Sequence, residues 1–400
     1  MSRRGSLRQK TTNFFPEKEK IMDPIRVTVI KGDGIGPEVV GAALRVLEAT
    51  GIPFVWDFEE MGMGAQEKLG EGLPDATLDS IRRNRVALKG PCGTPDGTAT
   101  ERFRSVNVAL RTKLDLYACV RPVHYYEGAP SPLKDPRGIH LVVVRENIED
   151  LYAGIEFPVN KDETKRLLDF VEIERGIRLP RSTAIGLKPI SLWESLRIAK
   201  YAFHMAQSNK AFRCVTVVHK ANIQQDTDGL FLHAAREVAK EYPDVEFQDR
   251  HTDAMLGELV AHPQLFGVIL TPNVVGDEIS SLAARLVGGE GMAPGANFGN
   301  EYAVFEATHG TAPTIAGKGI ANPCSMILSA AMMVRHLAPR GTNQPEKNGF
   351  TVCAHLIEEA VAAVVREGTC VTGDLNPLVH ASTTAMTDAV IAWMRKQTGG

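Results

Sequence analysis

Lys31-Gly-Asp-Gly-Ile-Gly-Pro-Glu38 is the stretch that decides the fold. Before it, Ile25, Val27 and Val29 alternate with polar neighbours, the period of a half-buried strand. After it, Pro37 opens a helix at a position that tolerates proline, and Val39, Val40, Ala43, Leu44 and Leu47 recur on one helical face. A dinucleotide-binding βαβ unit also begins as strand, glycine turn and helix, but with glycines spaced G-x-G-x-x-G. Here the glycines occupy 32, 34 and 36 and position 37 is proline, so that fingerprint fails. The run reads as the strand-to-helix turn of an α/β chain that is not a Rossmann fold.

Working outward, βα alternation continues to about Leu116. From Tyr117 to Glu174 the pattern changes. Strands are predicted at Leu141–Val144 and Leu167–Ile173, separated by Pro- and Gly-rich turns such as Tyr126–Gly138, and together they suggest a separate sheet layer. Alternation then resumes with a helix at Ser191–Gln207, a strand at Arg213–His219, a helix after Asp226, a strand at Phe266–Thr271 and a helix after Gly276. The last third reads as helical, with apolar faces at Met326–Leu337, Leu356–Val365 and Ala385–Met394.

At 400 residues the chain is long enough for two or three domains and a large core. A formal net charge of −3 gives no support for nucleic-acid or anionic-membrane binding. Six cysteines without a CxxC pair argue against zinc ribbons and disulfide frameworks. They favour a reducing compartment, the cytoplasm ahead of the mitochondrial matrix. No apolar run approaches the roughly 18 residues of a membrane span. Residues 1–24 read as a disordered tail or as the product of an upstream start codon, with Met22 the alternative beginning.

Chemistry concentrates in a few places. Ser105, Asn107 and Arg111 fall at i, i+2 and i+6, and Arg121 and Arg145 follow. Guanidinium groups grip carboxylates through paired hydrogen bonds, so three of them beside two small polar side chains suit a multiply carboxylated acid. Asp277 follows a buried strand and Asp253 opens another helix; each could cap its helix or supply oxygen to Mg²⁺ or Mn²⁺. Lys220 ends an apolar strand, where it can snorkel to solvent or accept a proton. Tyr152 can donate its phenolic proton or simply pack. Thr308-His-Gly-Thr-Ala-Pro313 is a small-residue turn after a strand at Tyr302–Ala307, able to cradle a pyrophosphate, and Asn322 stands where it could read an adenine edge.

Taken together, Lys31–Glu38, Arg145-Glu-Asn147, Tyr152-Ala-Gly-Ile-Glu156, His219-Lys-Ala-Asn222 and His309-Gly-Thr-Ala-Pro313 resemble the isocitrate/isopropylmalate dehydrogenase family of β-decarboxylating dehydrogenases, from about Ile25 to the C-terminus. The resemblance implies a large α/β domain (25–116 and 288–400), a small α/β domain (117–149 and 193–287) and a clasp (150–192). Isopropylmalate enzymes carry leucines where this chain has Ser105 and Asn107, so the pair resembles the isocitrate pattern, with homoisocitrate the second choice. Ser105, Asn107, Arg111, Arg121 and Arg145 would then hold the tricarboxylate. Mg²⁺ or Mn²⁺ would sit on Asp277 and on Asp253 from a second copy of the chain, which makes a homodimer the minimum unit. Lys220, also from the second copy, and Tyr152 would be the catalytic proton acceptor and donor.

The resemblance also implies a nicotinamide cofactor held by Thr94, His309, Gly310, Thr311, Ala312, Pro313, Thr314, Ile315 and Asn322. NADP-using relatives place Lys-Tyr where this chain has Thr314-Ile315, and Tyr and Arg where it has Gly373 and Pro377, which favours NAD. Two departures stand out: Ser281 replaces the family's usual second aspartate on the Asp277 helix, and the segment Pro95–Ser105 is about three residues longer than in bacterial relatives. A non-catalytic regulatory subunit of a hetero-oligomer is the reading from another class. Tyr152, Lys220, Asn222, Asp253 and Asp277, all retained, count against it.

Overall fold

The computed structural model describes residues 23–93, 105–212, 214–340 and 344–399. The expected N-terminal tail up to residue 22, Thr94 and the lengthened segment through residue 104 lie outside the described residues.

The first half opens with β1 (Ile25–Ile30), α1 (Gly36–Ala49), β2 (Phe54–Glu59), α2 (Met63–Leu69), α3 (Asp75–Asn84), β3 (Val86–Lys89) and α4 (Val106–Lys113). The chain then crosses through β4 (Ala118–His124) and β5 (His140–Glu146) into an arm. The arm holds a 3-10 turn at Asp150–Ala153, β6 (Glu156–Phe157), α5 (Asp162–Arg175) and β7 (Ile185–Gly186). Next come α6 (Leu192–Ser208), β8 (Cys214–His219), α7 (Asp228–Ala239), β9 (Glu246–His251), α8 (Thr252–Ala261), β10 (Val268–Thr271) and α9 (Asn273–Leu286). The chain returns through β11 (Pro294–Phe298) and β12 (Ala303–Ala307) and ends with α10 (Cys324–Leu337), α11 (Gln344–Glu367) and α12 (Thr383–Thr398).

Ten of these strands form one sheet in the order β2-β1-β3-β12-β11-β4-β5-β10-β8-β9. Two parallel blocks, β2-β1-β3-β12 and β5-β10-β8-β9, meet through antiparallel pairs at β11 and β4. Parallel strands need both faces covered. On one face α1, α10, α11 and α12 cover the first block and α6 and α7 the second, with Phe298 and Met332 packed against both cores. On the other face the cores are separate: α3 and α4 lie over the first block, α8 and α9 over the second. The site lies between these two cores.

Three sequence expectations fail here. The strand-rich insert is no separate layer, because β4 and β5 occupy the middle of the main sheet. A hairpin-like return over residues 125–139 pairs the two strands antiparallel, and β11 and β10 pair with their outer sides. Leu167–Ile173 is part of α5, not a strand. Its β-branched and aromatic residues suggest a strand, yet acids in the first turn, Arg175 in the last and left-handed Gly176 at the C-cap end make helix the better local solution. In α11, Lys347–Glu367 is long and apolar enough to cross a membrane by length and composition, against expectation, but its apolar side (Phe350, Ile357, Val361, Val364) is built into the core. All six cysteines are free.

Candidate active site

Side chains on neighbouring strands at paired positions point to the same sheet face. The register puts Lys89, Glu306, Gly295 and Arg121 in one row across β3, β12, β11 and β4. Asn297, Cys119 and Arg145 form the next row on the same face. This polar stripe runs through the gap between the two cores. From the second block, α9 brings in Asp277. The sequence reading placed this helix after Gly276; it begins at Asn273, so Asp277 stands in its second turn. Gly276 has to be glycine there, because a Cβ would come within 2.6 Å of Arg145 Cγ and 2.3 Å of Thr271 Oγ1.

Asp277 is the hub. Arg121 Nη1 donates to its Oδ1 at 3.1 Å and to Ser280 Oγ at 2.6 Å. Arg145 Nη1 donates to the same Oδ1, while its Nε donates to Asn273 Oδ1 at 3.0 Å. The Tyr152 hydroxyl donates to Asp277 Oδ2 at 2.7 Å, and the Arg145 guanidinium lies 4.8 Å from the Tyr152 ring centroid. Burial opposes charge on Asp277, but Arg145, Arg121 and the Tyr152 hydroxyl outweigh it and hold the carboxyl below its usual range. Burial, then the bond to Asp277, raises the Tyr152 pKa, so the phenol keeps its proton at neutral pH. Arg145 is the most confined member: its side chain is 1% exposed, and Nη2 is buried without a hydrogen-bond partner among the described residues.

Arg111, on α4, reaches the stripe from the other block, with Nη2 3.5 Å from Glu306 Oε1. Lys89 Nζ pairs with Glu306 Oε2, and Asn297 Nδ2 donates to Oε1 at 2.7 Å. Burial opposes charge on this largely enclosed carboxyl, yet these partners hold it down at about 2. Asn107 Nδ2 donates to the Cys92 carbonyl at 3.2 Å, and its Oδ1 is buried without a described partner. Ser105 stands at the N-cap position of α4. Lys89 and Glu306 were missed from sequence. Their signal was a charge at the end or near the end of an otherwise buried strand, Val86-Ala-Leu-Lys89 and Ala303-Val-Phe-Glu-Ala307.

Lys220 and Asp253 pair with one another, from the end of β8 and the first turn of α8. No hydrogen bond or ion pair among the described residues joins them to the Asp277 cluster. Their side chains are 33% and 71% exposed, and the Lys220 hydrogen bond lowers the Asp253 pKa. Among the described residues no three His, Cys, Asp or Glu side chains are close enough to hold a metal. Asp277 and Asp253 are each hard oxygen donors of the kind Mg²⁺ or Mn²⁺ takes, but within one chain they stand in separate clusters.

A cavity of about 750 Å³ opens where the glycine turn meets the His309–Pro313 turn. Ile35 N donates to Thr311 O at 2.9 Å, and Gly34, at φ +61°, lies so close that a Cβ would stand 2.0 Å from that oxygen. Of the predicted cofactor contacts, His309, Ala312, Ile315 and Asn322 line the cavity. Gly310, Thr311, Pro313 and Thr314 belong to the same turn but do not line it, and Pro313 and Thr314 are exposed. Asn322 is already occupied: Nδ2 donates to Asp374 Oδ2 at 3.0 Å, and Oδ1 accepts from Cys324 N at 3.0 Å. Burial lowers the His309 pKa, and its Nε2 is buried without a described partner, an orphan that fits a bound ligand. Arg285 and His380, unnoticed in sequence, also line the cavity.

The family model for isocitrate/isopropylmalate dehydrogenase matches residues 26–390. An isocitrate dehydrogenase (NADP) of Thermus thermophilus is 42% identical over 91% of this chain and 67% of its own length. A probable mitochondrial isocitrate dehydrogenase (NAD) subunit alpha of Drosophila melanogaster is 39% identical over 88% of this chain and 83% of its own. The crystal structure of isocitrate dehydrogenase from Methylococcus capsulatus superposes with a TM-score of 0.80 at 45% identity, covering 92% of this chain and 99% of that one. Similarity of this extent, with the family model spanning residues 26–390, makes the chain a member of the isocitrate/isopropylmalate dehydrogenase family.

Proposed function

We propose that this chain is an isocitrate dehydrogenase: it oxidises isocitrate and releases CO₂ to give 2-oxoglutarate, as a homodimer, with NAD preferred over NADP. The observation that carries the reading is the convergence of Arg121, Arg145 and Tyr152 on Asp277, with Arg111 beside them and Arg145 Nη2 left without a partner. Two guanidiniums on one carboxylate, with a third on the neighbouring Glu306, leave capacity for a multiply anionic substrate. Ser105 and Asn107 favour a third carboxylate over an apolar group. When bound, the oxidised nicotinamide supplies the hydride acceptor, and the divalent ion supplies positive charge to the substrate oxygen and to the enolate left by CO₂. The arginines orient the acid. Lys220 of the second copy takes the proton from the C2 hydroxyl, and Tyr152, which holds its proton at neutral pH, returns one to C3.

Homodimerisation is supported by the separation of Lys220–Asp253 from Asp277 within one chain. It is also supported by apolar side chains exposed on the arm and nearby, among them Phe170, Ile173, Ile177, Trp193 and Ile223. NAD preference rests on Thr314-Ile315 in place of a basic-aromatic pair; Arg285 on the cavity wall and the NADP-named relatives pull the other way. Steady-state kinetics with isocitrate, homoisocitrate and isopropylmalate, each with NAD and NADP, decide it. Isocitrate with NAD should give the highest kcat/KM. A higher value with isopropylmalate, or no turnover of any acid, would overturn the activity; equal values for the two cofactors would overturn the preference alone.

A further inference from the structure

Lys188 lies on the return from the arm, between β7 and α6, and its ammonium touches two buried carboxylates. Nζ is 2.5 Å from Asp228 Oδ1 and 3.9 Å from Asp150 Oδ1. The two acids are 0% and 1% exposed, so each depends on this cation for charge compensation.

Each carboxylate also anchors a reactive segment. Asp228 Oδ2 accepts from the backbone N of Lys220 at 2.6 Å. Asp150 Oδ1 accepts from Leu151 N and Oδ2 from Val274 N, both at 2.9 Å. The first of these bonds sets the 3-10 turn that aims Tyr152, with Asp150 itself held at the strained φ of +67°. The second ties that turn to the N-terminus of α9, three residues before Asp277.

We propose that Lys188 is a positioning residue that holds the proton donor Tyr152 and the proton acceptor Lys220 in register with one another. The inference rests on the isocitrate dehydrogenase reading. On that reading Tyr152 serves its own chain's site and Lys220 serves the partner's, so one ammonium ties together the two active sites of the dimer. Removing it leaves two buried carboxylates facing each other, and both segments loosen together.

Hydrogen exchange on the full chain tests the linkage without substrate. In Lys188→Met, peptides spanning Ile148–Ile155 and His219–Asp226 should both exchange about tenfold faster or more, with β5 and β10 unchanged. Lys188→Arg, which keeps the charge, should restore protection; Lys188→Gln carries the test if the methionine variant does not fold. Loosening of one segment alone, or of neither, would overturn the proposal. In turnover, kcat should fall about 10- to 100-fold with much less change in KM for isocitrate, the pattern of misplaced reacting groups. A dimer with a single Lys188→Met protomer should retain well under half of the wild-type kcat, because each of its sites has one loosened group. Retention of half would overturn the link between sites. A wild-type chain that turns over no isocitrate would refute the reaction, while the exchange result would stand separately.

Discussion

The two halves of the proposed chemistry are built to different standards. The Asp277 cluster is assembled within one chain: Arg145 is 1% exposed, and three donors converge on a single carboxylate. The Lys220–Asp253 pair is open, with Asp253 71% exposed, and is held mainly by its own ion pair. On the proposed reading, the buried part is preorganised by folding and the outward-facing part meets its site by association. The two halves should therefore respond differently to substitution.

The largest effect should come from the buried half. Arg145→Met removes one substrate grip and leaves Asp277 short of a partner in a confined place. kcat/KM for isocitrate should drop about 10⁴-fold or more, and the protein should also lose stability by about 3 kcal/mol. Steady-state kinetics and urea unfolding measure the two losses. A drop below about tenfold would mean that the cluster does not grip substrate.

Lys220→Met should separate chemistry from stability. Removing a general base costs about 10²- to 10⁴-fold in kcat, whereas an ion pair so open to solvent adds little to stability. The variant should thus unfold at nearly the wild-type urea midpoint while turning over far more slowly. An active Lys220→Met enzyme would remove the outer half from the mechanism.

Two buried glutamates extend the comparison to pH. Glu306, beside Lys89 and Arg111, is held at about 2. Its pKa is lower folded than unfolded, so its stabilisation is present above about pH 4.3 and is lost as pH falls towards 2. Among the described residues the relief for Glu146 comes from the N–H groups of Ile148 and Glu149; burial outweighs it, and the pKa is pushed up to about 8. Its sign is opposite: it costs stability progressively as pH rises from about 4.3 to 8, because only the unfolded chain then releases the proton. The two shifts correspond to roughly 3 kcal/mol for Glu306 and roughly 5 kcal/mol for Glu146. Glu306→Gln should be least stable relative to wild type at neutral pH, with the deficit shrinking in acid. Glu146→Gln should instead gain on wild type between pH 5 and 8, as urea unfolding across that range will measure.

How much of this was legible in the sequence follows the range of each interaction. The strand, turn and helix at Ile25–Ala49 are local, and their periodicity sufficed. The arginines were legible only in company: alone they read more readily as surface charges, and the other motifs of the chain pointed them to a ligand. Glu306 was not, since its partner Lys89 lies 217 positions away and a lone glutamate in a strand carries no visible partner. The same holds for Lys188, whose two carboxylates come from different elements. The place of β4 and β5 in the main sheet was hidden as well, because alternation tells which residues face inward but not which edge a strand joins.

The smallest effect belongs to the exposed rim of the cofactor cavity. Thr314 lies on the His309–Pro313 turn and is open to solvent, so a charge placed there acts through water. Thr314→Asp would put a carboxylate where it can accept from ribose hydroxyls and repel a 2′-phosphate, a difference on the order of 1 kcal/mol. The NAD-to-NADP ratio of kcat/KM should rise by about five- to tenfold, mostly through a higher KM for NADP. Arg285→Gln, on the opposite kind of logic, removes a cation from the cavity wall and should weaken NADP while leaving NAD unchanged. If both substitutions lower NADP use and spare NAD, discrimination is electrostatic and is set at the rim. If Thr314→Asp changes nothing, the preference is built elsewhere, and the Asn322–Asp374 contact becomes the place to look.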